Sequence, residues 1–375
     1  MEINELLMSE MKACWQYFRD NTNLDMNSKF FGLTRDKYPL SPDVAGISST
    51  GYGLASLVIG IEQDWISYDE AYSIALGTLN TLLKLENKHG FYHRYIDMNS
   101  GERAWNSEIS IIDTGILLCG VITAGEYFGC EIKELATKLY NRVNWKWFTD
   151  KKKNQFRLGY KGRFYGYWDN YAEQLMLYVL GAGSTTYPVN NSFNRLEKDG
   201  IIYSWFGCLF TYQYSHAWID FKETIWFENS VRATRANMEY CNEYKKYKGY
   251  WGLSATITKK RYSQRLGAEP CVDKIQKDGT LSISSALSSI VFLPVETKQM
   301  IISLYKKYPE VFGKYGFVTS FNLSGREPWF CEEYLGIDKG TTMIMLANYF
   351  DNTIWQHFMN NECVKKGMEI IKREL

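Results

Sequence analysis

The chain has 375 residues, of which 43 are Lys or Arg and 42 are Asp or Glu, for a formal net charge of +1. Its longest basic runs, at 151–153 and 259–261, are three residues each, which excludes the electrostatic footprint of a nucleic-acid binder. Aromatic residues make up 16%, with 12 Trp and 28 Tyr, and such rings suit the apolar C–H faces of pyranoses, so the expected partner is a neutral oligosaccharide or polysaccharide.

Helical spacing dominates from the start. Leu7, Met11, Trp15 and Phe18 share one face of a helix in the first twenty residues. After an irregular stretch over 33–47, Ser49 or Thr50 opens a second helix through Leu54, Leu57 and Ile61. Ser67 followed by Glu70 is a capping-box signature for a third, whose buried stripe is Ala71, Ile74, Ala75, Leu79, Leu82 and Leu83. Residues 91–97 read as a short extended piece turned by Asn99-Ser100-Gly101. Further helices are predicted at 110–127, 131–145, 170–180, 215–227, 229–247, 297–307, 339–359 and 362–374. Runs of β-branched alternation are absent, which argues against a Rossmann sheet or a β/α barrel. The expected fold class is all-α. Antiparallel helical hairpins closed into an α/α toroid compete with a solenoid or an irregular bundle.

No Ser/Thr/Pro-rich or single-charge linker divides the chain, so one domain over 1–375 is expected. Eight cysteines form no CxxC pair and read as reduced thiols. The opening Met1-Glu2-Ile3-Asn4-Glu5 has no positive leader, and no run of 18 apolar residues occurs. The expectation is a cytoplasmic protein without a membrane partner.

Several catalytic machines are missing. Four histidines, no HExxH and no Cys/His cluster leave no metal motif, and Walker A, kinase and GxSxG signatures are absent. Gly51-Tyr52-Gly53 lacks the third glycine of a dinucleotide loop, so no cofactor is expected. Carboxylates at segment ends remain. Ser110 caps a helix with Asp113 as its third residue, giving Asp113 a structural role beside a catalytic one, while Glu108 lies at the helix mouth, unexplained by capping or core. Asp169 and Glu173 are four apart and can share a face, although Asn170 as cap with Glu173 as box partner explains them equally. Trp168 and Tyr171 flank them as sugar-stacking rings. His216 and Asp220, also four apart, form either a pair at a substrate wall or an ordinary helix-surface pair. Arg94 either bonds sugar hydroxyls or pairs with Asp97, and Asp43 is an exposed loop carboxylate. Paired carboxylates without a metal or cofactor point to glycosidic chemistry, one protonating the departing oxygen and the other activating water or attacking the anomeric carbon.

The stretches Gly46-Ile47-Ser48-Ser49-Thr50-Gly51-Tyr52-Gly53, Asn106-Ser107-Glu108-Ile109-Ser110-Ile111-Ile112-Asp113-Thr114-Gly115, 210–220, Trp251-Gly252-Leu253-Ser254-Ala255, Asp278-Gly279-Thr280, Tyr315-Gly316-Phe317 and 334–340 occur in that order over about 43–355. Together they resemble the glucoamylase-like family of bacterial α/α-toroid proteins, which is similar to endo-β-1,2-glucanases and to the glucan-processing domain of cyclic β-1,2-glucan synthases. The resemblance implies an (α/α)6 toroid, with Glu108 and Glu173 matching acidic positions of the cleft and Asp113 beside the first. Two departures stand out. Arg94 occupies a position where the family usually has a histidine or another aromatic, and the proline usual near Ser282 is missing. The implied activity is a glycoside hydrolase on β-glucan, β-1,2-linked first. A transglycosylase, a hydrolase of another glucosidic linkage and a non-catalytic carbohydrate-binding protein are the alternatives. Glu173 is expected as the general acid, Glu108 as base or nucleophile, and inversion as the stereochemical course.

Overall fold

A computed structural model describes residues 2–186 and 195–374. The described residues are predominantly helical, and their strands are two or three residues long. By internal contacts the chain forms two compact units, each assembled from three stretches. The first unit comprises Met1–Tyr17, Asn170–Glu173 and Asn194–Asp351, and the second Phe18–Asp169, Gln174–Phe193 and Asn352–Leu375.

In the second unit, the Ile47–Glu62 helix packs against the Ile111–Phe128 helix with almost no side chain between them. A Cβ on Gly120 would lie 2.0 Å from the Gly51 carbonyl oxygen, so the two backbones touch and only glycine fits. The Tyr68–Lys84 and Cys130–Asn141 helices bury their apolar faces around this pair. The Leu175–Gly183 and Glu362–Glu374 helices also cross closely. The expected caps form: Ser67 accepts from the Glu70 N–H at 3.3 Å and Ser110 from the Asp113 N–H at 3.2 Å. By length and composition the Ile111–Phe128 helix is apolar enough to cross a membrane, although polar residues such as Asp113 and Glu126 interrupt its apolar run. It is also 83% buried inside the protein, so it reads as a core helix.

In the first unit, the Ile225–Glu243, Pro294–Lys307 and Gly336–Asp351 helices accompany short helices at Tyr214–Trp218 and Ile283–Leu287. A three-stranded antiparallel sheet pairs Thr280–Ser282 with Ser320–Asn322, and the latter with Trp329–Phe330. A fully buried ion pair ties distant parts of this unit. Lys339 Nζ donates to Glu10 Oε1 at 2.8 Å, and the Phe317 N–H donates to Glu10 Oε2 at 2.6 Å. Satisfying both carboxylate oxygens and the ammonium offsets the desolvation of the two charges.

Several predicted bounds move. The helix expected over 215–227 is two: Tyr214–Trp218 ends before Ile219, and Thr224 caps Ile225–Glu243. The helix expected over 339–359 breaks at Asn352, which adopts a left-handed conformation with φ 54°. The helix expected over 170–180 begins only at Leu175, so Asn170 is not its cap and Glu173 lies in the preceding turn.

Candidate active site

The chain around Glu108 is fixed by backbone pairing within the second unit. The Arg94 N–H donates to the Glu108 carbonyl at 2.9 Å, and the Arg94 carbonyl accepts from the Ile47 N–H at 3.1 Å. Residue 94 is thereby pinned between the Glu108 chain and the start of the Ile47–Glu62 helix. Its guanidinium reaches both acids singled out in the sequence: Nη1 lies 3.8 Å from Glu108 Oε1, and Nε lies 3.7 Å from Asp113 Oδ2. Both separations exceed hydrogen-bond range, so the attraction is coulombic. Arg94 does not pair with Asp97 as one reading allowed. Asp97 accepts the N–H groups of Asn99 and Ser100 at 2.9 and 2.8 Å, which close its own turn and pull its pKa down.

Asp113 is structural and electrostatic at once. The Ser110 hydroxyl accepts from its N–H and donates to its Oδ2 at 2.6 Å, and the carboxylate sits in the first turn of the Ile111–Phe128 helix. A third carboxyl, absent from the sequence candidates, joins the cluster. Asp36 is half-buried, with its Oδ1 seated 2.8 Å from where a Gly46 Cβ would lie. Burial pushes its pKa up to about 6; Asp113 adds to the rise, and Arg94 and Lys37 oppose it. The charge of Asp113, above all, holds the Arg94 pKa above its ordinary value. Two exposed rings flank the cluster. Trp105, 51% exposed, packs edge-on against Tyr95 at 4.8 Å, and Tyr165 is 42% exposed and within electrostatic reach of Glu108 and Arg94. Trp105 and Asn106 both have positive φ, 50° and 49°, so the loop leading to Glu108 holds backbone strain of the kind found at functional sites.

The remaining candidates fall elsewhere. Asp43 is exposed on an open cleft of about 680 Å³, lined also by Asn21, Asp25, Arg35 and Asn99. Asp169, in the second unit, is half-buried. Trp168 is only 4% exposed and Tyr171 1%, which corrects their assignment as sugar platforms: a ring without an accessible face cannot stack on a pyranose. Tyr171 is a core residue, stacked on Tyr212 at 5.2 Å and Trp226 at 5.6 Å. Glu173, in the first unit, is half-buried in its turn, where its carbonyl accepts from the Ser215 hydroxyl at 2.7 Å. His216 and Asp220 do not share a helix, because the helix ends at Trp218. His216 Nε2 lies 2.9 Å from the Ser230 hydroxyl among Phe221, Phe227 and Phe292, and burial lowers its pKa to about 3. Asp220 accepts from the Lys222 N–H at 3.0 Å. Among the described residues, no group of three or more His, Cys, Asp or Glu is gathered to hold a metal ion.

Residues 165–362 match the family model Glycoamylase, described as "putative glucoamylase", over more than half of the chain. The chain belongs to the glycoamylase family. This family member is 24% identical, over 440 aligned positions, to an exo β-1,2-glucooligosaccharide sophorohydrolase (non-reducing end) of Parabacteroides distasonis. That alignment covers 99% of the chain but 58% of the relative, so the chain spans less than two thirds of the relative's length. Among solved structures, an endo-β-1,2-glucanase from Chitinophaga pinensis with sophorotriose and glucose superposes with a TM-score of 0.85 at 24% identity, covering 98% of both chains. A β-1,2-glucanase from Parabacteroides distasonis gives 0.86 at 23% identity, covering 100% of this chain and 60% of the other. The glycoamylase assignment and these superpositions establish the fold class expected from the resemblance, the α/α toroid of the family.

Proposed function

We propose that the chain is a glycoside hydrolase that cleaves neutral β-glucan or gluco-oligosaccharides, β-1,2-linked in preference to other linkages, in the cytoplasm. The observation that carries this reading is the cluster of Glu108, Asp113 and Asp36 around Arg94, beside the exposed rings of Trp105 and Tyr165. Carboxyl groups held in differing environments are what glycosidic acid–base chemistry requires, and exposed rings supply a stacking surface for a pyranose. The β-1,2-glucan activities named for the family's relatives favour that linkage. Eight free thiols are in keeping with a reducing compartment.

In this reading Glu108 is the base, with Arg94 Nη1 3.8 Å from its Oε1, and Glu173 the acid that protonates the departing oxygen. The test is a panel of β-1,2-, β-1,3-, β-1,4- and α-1,4-linked oligosaccharides, with products resolved by chromatography and the first anomer formed identified by NMR. Preference for the β-1,2 series with inverted product is expected. Glu108→Gln and Glu173→Gln should each fold normally by circular dichroism and lose roughly 100-fold or more in turnover, the scale of positioned acid–base help. Near-normal turnover in both variants defeats the residue assignment, and preference for another linkage defeats the substrate assignment.

A further inference from the structure

We infer that Arg94 is a positioning residue that holds Glu108 and Asp113 together as two carboxylates, and that the exchangeable proton of this cluster resides on Asp36. The inference rests on the proposed hydrolase reading for its catalytic meaning, but the proton's location can be measured without any substrate.

The geometry ranks the three acids. Asp113 has the most support for its charged form: a donating Ser110 hydroxyl at 2.6 Å, the positive end of the Ile111–Phe128 helix, and Arg94 Nε at 3.7 Å. Glu108 has Arg94 Nη1 at 3.8 Å and is half-buried. Asp36 has neither a helix terminus nor, among the described residues, a donor hydrogen-bonded to its carboxyl. Its backbone N–H is committed to the Val44 carbonyl, and its carboxyl is wedged over Gly46, where even a methyl group would collide with it. The charged and titratable groups around it are Arg94 and Tyr95, Asp113 from the first turn of the Ile111–Phe128 helix, and neighbouring Lys37. One guanidinium shared among three acids cannot neutralise all of them. Among the described residues neither Glu108 nor Asp36 has a donor hydrogen-bonded to its carboxyl; Glu108 has the guanidinium at 3.8 Å, and Asp36, wedged over Gly46, takes the proton, in line with the upward push on it from burial.

This arrangement depends on the arginine at position 94, whose guanidinium lies 3.8 Å from Glu108 and 3.7 Å from Asp113. A neutral side chain there would remove the charge that attracts Glu108 and Asp113 and that opposes the upward push on Asp36. Arg94 thus couples the surroundings of Glu108 to the proton on Asp36.

The experiment is a pH titration of the full chain with ¹³C-labelled Asp and Glu carboxyls, followed by NMR, alongside the pH–rate profile on β-1,2-gluco-oligosaccharide. In the wild type, one carboxyl should titrate near pH 6, and that signal should vanish in Asp36→Asn. In Arg94→Gln the Asp36 titration should move upward, because the charge that opposes its rise is gone. The acid limb of the rate profile should rise by roughly one pH unit, a tenfold change in ionisation. Arg94→Lys, which restores the charge, should return both toward wild type. Retention of the pH 6 signal in Asp36→Asn, or an unshifted carboxyl titration in a folded Arg94→Gln, overturns the inference. A fall in rate without movement of the acid limb assigns Arg94 a merely structural role and also overturns it. Absence of any glucan hydrolysis in the wild type would sink the proposed activity while leaving the titration to decide the proton's place.

Discussion

Asp36 carries a thermodynamic signature of its own. A carboxyl with its folded-state pKa raised to about 6 from an ordinary value near 4 keeps its proton in the folded state after the unfolded chain has lost it. Between about pH 4 and 6 the folded state therefore binds more protons, and stability falls as pH rises through that window. Asp36→Asn should be more stable than wild type at pH 7, by roughly 1–2 kcal/mol, and nearly equal to it at pH 4. Urea denaturation at the two pH values checks this, and an unchanged difference would show that Asp36 is not held protonated. The same residue marks where sequence reading stops. Glu108 and Asp113 were legible because one stands at a helix mouth and the other answers a serine cap. Asp36 lies in an irregular segment where no periodicity applies, and its importance comes from Gly46 packing beneath it. Arg94 was recognised, but the register that sets its backbone against Glu108 rather than its side chain against Asp97 is a tertiary fact.

At the scale of elements, the contact between the Ile47–Glu62 and Ile111–Phe128 helices supports the site, because the first helix anchors Arg94 and the second carries Asp113. Gly120→Ala would drive a methyl group to within 2.0 Å of the Gly51 carbonyl oxygen, and backbone has nowhere to yield as a side chain would. A loss of about 3 kcal/mol or more is expected, at or beyond the upper end of overpacking costs, with reduced activity at temperatures below melting as the helices part. Thermal melts and assays at 20 °C measure both, and a loss under 1 kcal/mol would mean the helices can separate freely. Helices with their own caps were readable from sequence, as Ser67 and Ser110 show. Misplaced ends came from competing signals. Asn170 and Glu173 imitate a capping box without starting a helix, and Thr224, the cap that does operate, stands within the 215–227 stretch whose spacing reads as one continuous helix. The rings followed the same logic: Trp168 and Tyr171 adjoin acidic residues in sequence yet pack inward, whereas Trp105 is held outward by a left-handed loop that composition does not reveal.

For the whole molecule, each compact unit draws on three separate stretches of chain, so neither can be cut out as a continuous segment. Unfolding one unit releases the ends of stretches that belong to the other. We therefore expect a single cooperative transition, with calorimetric and van't Hoff enthalpies in agreement. Two resolved transitions in calorimetry would instead establish two independently folding domains. The buried pair of Glu10 and Lys339 adds a consequence in time. Its partners are 329 residues apart, and at ribosomal rates of about 5–20 residues per second Glu10 emerges roughly 15 to 65 seconds before Lys339 exists. For that interval the Ile3–Asn21 helix has an acidic group destined for the interior and not yet the Lys339 that pairs with it. The first unit consequently completes its core only late in synthesis, when the last of its three stretches has been made.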